Sequence, residues 1–384
     1  MKKKILFLTN PLSFFISHRL EIACAAINKG YEVKVAYGEL GNSNSEHIKI
    51  LLNKEIECFQ IPFKRGSINL FRELRSFFYI YKIIYHLKPD IVHLITTRAY
   101  IYGGIAARLA KTPCVLSAVA GLGILFSEKR LDNYFFKKIA IYIFKLAFSC
   151  KNQIIIFQNL EDRRTLEKLI NLDPKNTILL KGSGVDLSKF YDLKDSTSTF
   201  TVCFASRLIK EKGVFDFISA ARILKDMNIH VKFLLAGNMD LGNPNSLSNK
   251  EIDKIINEKI VEYIGYQEDI PSLFSKSHII CLPSFYGEGL PKILLEAAAA
   301  SRAVVTTDTV GCRDAIIPNK SGLLVQPKEP KKLAETLKYL ILNPEVRVSM
   351  GKEGRKLAEK YFSIELIVDK HLEIYRELLN KNQI

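Results

Sequence analysis

Several things this chain does not contain narrow its function before any motif is considered. No run of about 18 uncharged apolar residues occurs, so no segment reads as a transmembrane helix. The basic opening Met1-Lys2-Lys3-Lys4, followed by Ile5 to Asn10, has too short an apolar core and no small-residue cleavage site for a leader peptide, so it reads as a first buried strand. Seven cysteines stand at 24, 58, 114, 150, 203, 281 and 312, with no C-x-x-C pair. An odd, scattered set, partly within apolar runs, reads as reduced buried thiols of a cytosolic protein. Residues 10–17 hold no glycine, which removes the G-x-G-x-x-G turn a dehydrogenase needs after its first strand. No Asp-x-Asp pair marks a metal site, and there is no internal repeat, low-complexity tract or nucleic-acid-reading module.

What is present suits a soluble enzyme of two domains. The 384 residues are 48% apolar and 25% charged, enough to bury two ordinary cores. The net charge of +16 is unevenly placed. Residues 1–180 carry 27 Lys and Arg against 14 Asp and Glu, and the remainder 29 against 26. A basic half suits nucleic acid, an anionic membrane surface or a phosphorylated substrate. Within it, segments 70–87 and 134–148 are helical in pattern, rich in aromatics and flanked by cations. Such helices can lie in a bilayer interface, and they can equally pack on a sheet. The local surplus of positive charge favours membrane contact, above all for the second segment.

Short apolar runs alternate with helical patterns through both halves, which predicts two doubly wound α/β domains facing a cleft. Strands are expected at 4–9, 31–37 and 90–95, after Thr112-Pro113 as far as Ala118, and at 152–157, 178–180, 200–205, 231–236, 261–266, 279–283, 303–307 and 322–325. After the first strand, 10–17 reads as a loop, with His18 in the opening turn of the helix that follows. His93 lies near the carboxyl end of the strand at 90–95. Each histidine is open to two readings, a structural one and an approach to the ligand-binding end of the sheet. Gly121 and Gly123 form a loop able to approach a phosphate closely. Asn159 is placed to cap a helix, and polar residues 192–199 read as a linker.

The stretch from Ser284 to Glu296 carries the chemistry. A strand ends at Pro283, a glycine turn (Gly287, Glu288, Gly289, Leu290) follows, and Pro291 opens a helix. Backbone amides and the positive end of a helix dipole suit an anion there. Glu288 and Glu296 would repel phosphate, so hydroxyl groups are their expected partners, and phosphate plus polyol means a nucleotide sugar. Arg207 and Lys212, before Gly213, flank another strand-to-helix loop; one fork-shaped and one point-like cation can offset a diphosphate.

Glu288, seven residues and Glu296, preceded by Leu282-Pro283-Ser284, resemble the E-x7-E signature of retaining glycosyltransferases of family 4, and Arg207-Leu208-x-x-x-Lys212-Gly213 is similar to that family's diphosphate clamp. Phe157-Gln158-Asn159-x-x-Asp162 resembles its capsule and O-antigen branch. The resemblance implies a GT-B fold, with an acceptor-binding domain at 1–190, a nucleotide-sugar domain at 191–362, and a terminal helix at 363–384 returning to the first. It implies transfer of a hexosyl unit, in α linkage by retention, to a polyprenyl-diphosphate-linked sugar or growing polysaccharide. An N-acetylhexosamine from a UDP-sugar fits best. Arg207, Lys212 and Glu288 would be catalytic. Gly237, Gly265, Tyr266, Gly289, Leu290, Pro291 and Glu296 would complete the donor site, with His18, His93, Gly121 and Gly123 on the acceptor side. No cofactor or divalent metal is expected, since two cations can replace one. The enzyme would sit on the inner face of the cytoplasmic membrane, without nucleic acid as a partner. A GT-B epimerase or hydrolase, or a non-catalytic basic binding module, is the alternative. Two departures from the family pattern stand out: the first loop lacks its glycine pair, and Val119-Ala120 replace the histidine common before Gly121.

Overall fold

The computed structural model describes residues 2–38, 44–63, 69–122, 134–190, 199–240, 242–285 and 287–382, and for 44 and 134–137 the backbone only. The chain divides into two compact units, one of Met1–Ser183 with Glu365–Ile384, the other of Gly184–Ile364.

The first unit contains β1 (Lys4–Thr9), α1 (Leu12–Asn28), β2 (Glu32–Gly38), α2 (Asn44–Leu52), β3 (Glu57–Ile61), α3 (Leu70–Leu87) and β4 (Ile91–Ile95). It continues through α4 (Thr97–Leu109), β5 (Cys114–Val119), α5 (Tyr134–Ala147), β6 (Gln153–Phe157), α6 (Leu160–Ile170) and β7 (Thr177–Leu179). Seven parallel strands lie in the order β3-β2-β1-β4-β5-β6-β7. Both faces are covered, so the strands are apolar almost throughout. The pleat sorts their residues: Ile5, Phe7, Ile91 and Ile95 pack toward α1, while Leu6, Leu8, Val92 and Leu94 pack toward α3, α4 and α5. Asn159 caps α6 as expected, its side chain accepting the Asp162 N–H at 2.7 Å.

The second unit contains β8 (Thr201–Ala205), α7 (Val214–Asp226), β9 (Lys232–Ala236), α8 (Asn249–Glu258), β10 (Glu262–Gly265), α9 (Ile270–Ser275) and β11 (Ile279–Leu282). Then come α10 (Lys292–Ala299), β12 (Ala303–Thr307), β13 (Gly322–Val325), α11 (Pro330–Leu342), α12 (Pro344–Tyr361) and α13 (Ile364–Lys381). Its six parallel strands run β10-β9-β8-β11-β12-β13 around a single apolar core. From Glu365 onward α13 belongs to the first unit, where Ile367, Leu372, Ile374, Tyr375 and Leu378 complete the core beside α1.

Both sheets reverse their winding at the first strand, between β1 and β4 and between β8 and β11. In open sheets of this kind ligands bind outside the carboxyl ends at that reversal.

Candidate active site

In the second unit, the loops leaving β8 and β11 interlock at the reversal point. The Phe285 N–H donates to Glu211 O at 2.8 Å, and a Cβ on Gly213 would lie 2.0 Å from Pro283 O. Gly213 also has φ +78°, so both space and backbone require glycine there. Beneath the second loop, the hydroxyls of Thr307 and Thr309 donate to Ser284 O, the latter at 3.1 Å. Gly311, at φ +82°, leaves its missing Cβ only 2.0 Å from Gly289 O. The turn around Glu288 is therefore pinned from two sides.

On this platform Lys212 and Glu288 meet. Lys212 closes a one-turn 3-10 helix, Lys210–Lys212, which carries its side chain toward β11. Nζ lies 2.5 Å from Glu288 Oε2, and the side chains are only 7% and 13% exposed. Ser284 Oγ donates to the other carboxylate oxygen, Oε1, at 2.8 Å. A charge-assisted, nearly dry pair of this kind holds both groups in one geometry. Among the described residues, the sequence offered no signal for the part Ser284 plays beyond its place in the turn.

Glu296 lies in α10, with Oε1 3.6 Å from the Lys292 Nζ one turn earlier. Burial pushes its carboxyl up to about 7, and the nearby Lys292 only partly offsets this. The α10 helix begins at Lys292, so Pro291 is its N-cap residue and not part of the first turn as expected. Gly289, Leu290 and Pro291 are all buried.

Arg207 is half-exposed, and its Nη1 donates to Asp240 Oδ2 at 2.6 Å. Asp240 escaped the sequence reading because it lies on a different loop, after β9. Gly237 and Gly265 meet directly, the Gly237 N–H donating to Gly265 O at 2.7 Å. A Cβ on Gly237 would lie 1.8 Å from Ser206 O, so this glycine lets the loops after β8 and β9 touch. Tyr266 next to them is exposed. A hollow of about 720 Å³ is lined by Thr201, Lys232, Glu262, Ile264, Gln267 and Lys276, and by none of Arg207, Lys212, Glu288 or Glu296.

The first-unit candidates are not gathered in this way. His93 is wholly buried: it lies on the α1 side of β4, its Nδ1 is 2.7 Å from the Tyr375 hydroxyl, and its ring lies against Phe7 and His371. Burial, then His371 and Arg19, hold it well below the usual histidine range. It is a core residue here, because strand parity turned it inward. His18 is in the second turn of α1 and not its opening turn, since α1 reaches back to Leu12, with Leu12, Phe15, Arg19 and Ile22 buried at helical spacing. Its Nδ1 lies 2.6 Å from Ser17 Oγ, and its ring stacks on Phe14 at 4.1 Å. Gly121 follows β5 with φ +105°, and Gly123 lies outside the described residues. Among the described residues, no group of three His, Cys, Asp or Glu is placed to hold a metal ion.

Comparison with known proteins agrees with this layout. The family described as Glycosyl transferase 4-like matches residues 4–159, and Glycosyl transferases group 1 matches residues 188–357. The chain is 28% identical, over 87% of its length and 89% of the relative's, to the N,N'-diacetylbacillosaminyl-diphospho-undecaprenol alpha-1,3-N-acetylgalactosaminyltransferase of Campylobacter jejuni. It is 26% identical, over 85% and 86%, to the UDP-Gal:alpha-D-GlcNAc-diphosphoundecaprenol alpha-1,3-galactosyltransferase of Escherichia coli. Its fold matches the crystal structure of Anabaena HepE in complex with UDP-glucose, with a TM-score of 0.76 at 18% identity, covering 97% of this chain and 99% of that one. Two sheets that each reverse at their first strand, together with both family matches, lead to one conclusion: the chain is a glycosyltransferase of the GT-B fold, belonging to the group 1, family-4-like glycosyltransferases.

Proposed function

We propose that this enzyme transfers an N-acetylhexosaminyl unit from a UDP-sugar, with retention, to a polyprenyl-diphosphate-linked sugar during surface-polysaccharide assembly. The observation that carries the reading is the Lys212–Glu288 pair at 2.5 Å, formed by the loop after β8 that also carries Arg207. Without donor, the two charges satisfy each other. When a diphosphate arrives, Lys212 can turn to its oxygens, and Glu288 becomes an acceptor for sugar hydroxyls. Arg207 holds the other phosphate, and Glu296 accepts from the ribose hydroxyls. The helix terminus after Pro291 adds its dipole.

In the reaction the anomeric carbon–oxygen bond to the diphosphate breaks and the acceptor oxygen bonds to the same face of that carbon. The acceptor proton passes to a departing phosphate oxygen, so no strong protein base is required. The cations stabilise the charge that gathers on the leaving diphosphate. The activities for which the Campylobacter and Escherichia relatives are named support the acceptor class and the α linkage.

Membrane contact fits α3. Its outer face carries Phe71, Leu74, Phe78, Tyr79 and Tyr85, all exposed, together with exposed Arg72, Arg75 and Lys82. Its carboxylate, Glu73, turns inward to the Tyr102 hydroxyl at 2.6 Å and to Arg98 at 3.4 Å. An apolar face with cations and no exposed acid suits the anionic inner surface of a cytoplasmic membrane. On α5, exposed Ile139, Tyr142, Lys138 and Lys145 add to the same kind of surface.

The test is to screen UDP-sugars and GDP-mannose by thermal shift, then to assay the best donor with a polyprenyl-diphosphate sugar and determine the new linkage. A β product, or release of free sugar or an epimer without acceptor, would overturn the proposal.

A further inference from the structure

We infer that Asp240 is a positioning residue, one that fixes the Arg207 guanidinium so that its unused edge meets the donor diphosphate. The inference rests on the proposed donor site and names how one part of it is held. Asp240 is nearly buried and rigidly placed. Its N–H donates to Ser246 Oγ at 2.9 Å, its carbonyl accepts the Asn243 N–H at 2.9 Å, and Oδ2 accepts from Asn243 Nδ2 at 3.1 Å. The segment carrying it is laced to the loop carrying Arg207. Leu208 N–H donates to Asn238 O, Lys210 N–H to Asn245 O and Leu247 N–H to Leu208 O, each at 2.9 Å.

A fixed carboxylate thus holds one nitrogen of a side chain that is 51% exposed. Arginine presents a planar fork of five donors, and among the described residues Nη1 alone is engaged. Nε and Nη2 remain for a second anion, which is the arrangement that suits a diphosphate. An exposed arginine without such an anchor samples many rotamers and loses that freedom on binding. The carboxylate also works against the site, since its charge repels the phosphates. Orientation and repulsion predict opposite signs for the same substitution, which makes the inference decidable.

The probes are UDP and UMP, titrated calorimetrically against the full chain. Positioning predicts that Asp240→Ala weakens UDP about tenfold while UMP changes less than about twofold, because the guanidinium serves the phosphate that UMP lacks. Asp240→Asn, which keeps an acceptor oxygen without the charge, should recover most of the UDP affinity. Arg207→Ala combined with Asp240→Ala should bind UDP no worse than Arg207→Ala alone, as expected if Asp240 acts through Arg207. Tighter UDP binding by Asp240→Ala would show a competitor and overturn the inference. So would equal losses for UDP and UMP together with a lowered melting temperature, which mark a structural role. Absence of UDP binding by the unsubstituted chain would sink the donor-site reading and this role with it. Normal UDP binding that is indifferent to Asp240 would sink this role alone.

Discussion

The two units wind in the same way yet place their polar groups in opposite surroundings. In the second unit, Arg207, Lys212, Asp240, Glu288 and Glu296 lie on loops or helix starts beyond the strand ends, and the ion pairs among them bridge different loops. In the first, Arg19, His93, His371 and Tyr375 are withdrawn behind the sheet, where Arg19 Nε, His93 Nε2 and His371 Nε2 have no hydrogen-bond partner among the described residues. Loops past the strand ends tolerate charge because opposite charges on neighbouring loops pair there. A core tolerates it only while the imidazoles stay neutral. Polar groups are thus paired across loops at the proposed donor site of one unit and packed into the core of the other.

The sharpest way to break this contrast is to remove one cation from the second unit. Lys212→Ala and Arg207→Ala should each cost roughly 2–4 kcal/mol in the transition state, or about 30- to 1,000-fold in kcat/KM. Near-normal turnover in both would remove the clamp. Lys212→Ala should also lower stability, because Glu288 is then left nearly buried without its partner.

Next in size is a change in the first unit. Tyr375→Phe leaves His93 Nδ1 unpaired in the core and should destabilise that unit by about 1–3 kcal/mol. UDP affinity should not change. A loss of UDP binding without a loss of stability would mean that His93 belongs to a site after all.

The units should also answer pH with opposite signs. Burial and Arg19 push His371 down to about 3, and His93 is likewise depressed. Their stabilising contribution is full above the unfolded histidine value of about 6.5 and is lost as pH falls toward the folded value. Glu296 is raised to about 7, so its contribution is full at acid pH, below the ordinary glutamate value of 4.5, and is lost as pH rises through about 7. Its ligand chemistry runs the other way. Below about pH 7 the neutral carboxyl is a poorer acceptor for ribose hydroxyls, and UDP affinity should fall by up to about tenfold per pH unit. Hydrogen exchange resolved by unit at pH 7.5 and 5.5 tests the first contrast. UDP titrations of the parent and Glu296→Gln test the second, and a pH slope retained in Glu296→Gln would refute the assignment.

The smallest expected effect is Asn159→Ala, which removes the cap of α6 and should cost about 1 kcal/mol with no change in nucleotide binding. Urea unfolding followed in the first unit would measure it.

Most of the strands in the second unit were legible because each is a short apolar run that ends at a glycine or polar turn. The Arg207–Lys212 and Glu288–Glu296 spacings were legible for a related reason: each pair sits on one local segment. Asp240 was not, since its partner is 33 residues away and only the sheet brings them together. The helix α8 went unnoticed despite its Ser248–Glu251 capping box, as did α2 and β3, which are short and only modestly apolar. His93 shows a deeper limit. Ile91, His93 and Ile95 alternate with Val92 and Leu94, so both faces of β4 look apolar, and nothing in the run says which side α13 will cover. Sequence spacing conveys who is near along the chain, and burial depends on who arrives from afar.

The position of α13 has a consequence for how the protein is made. Val185 and Ser363 pair as the chain enters and leaves the second unit, with the Val185 N–H donating to Phe362 O at 2.7 Å and the Ile364 N–H to Val185 O at 2.9 Å. Everything the second unit needs has thus emerged from the ribosome before α13 does. The first unit, translated earliest, must wait with an open apolar flank until the final helix arrives to close it.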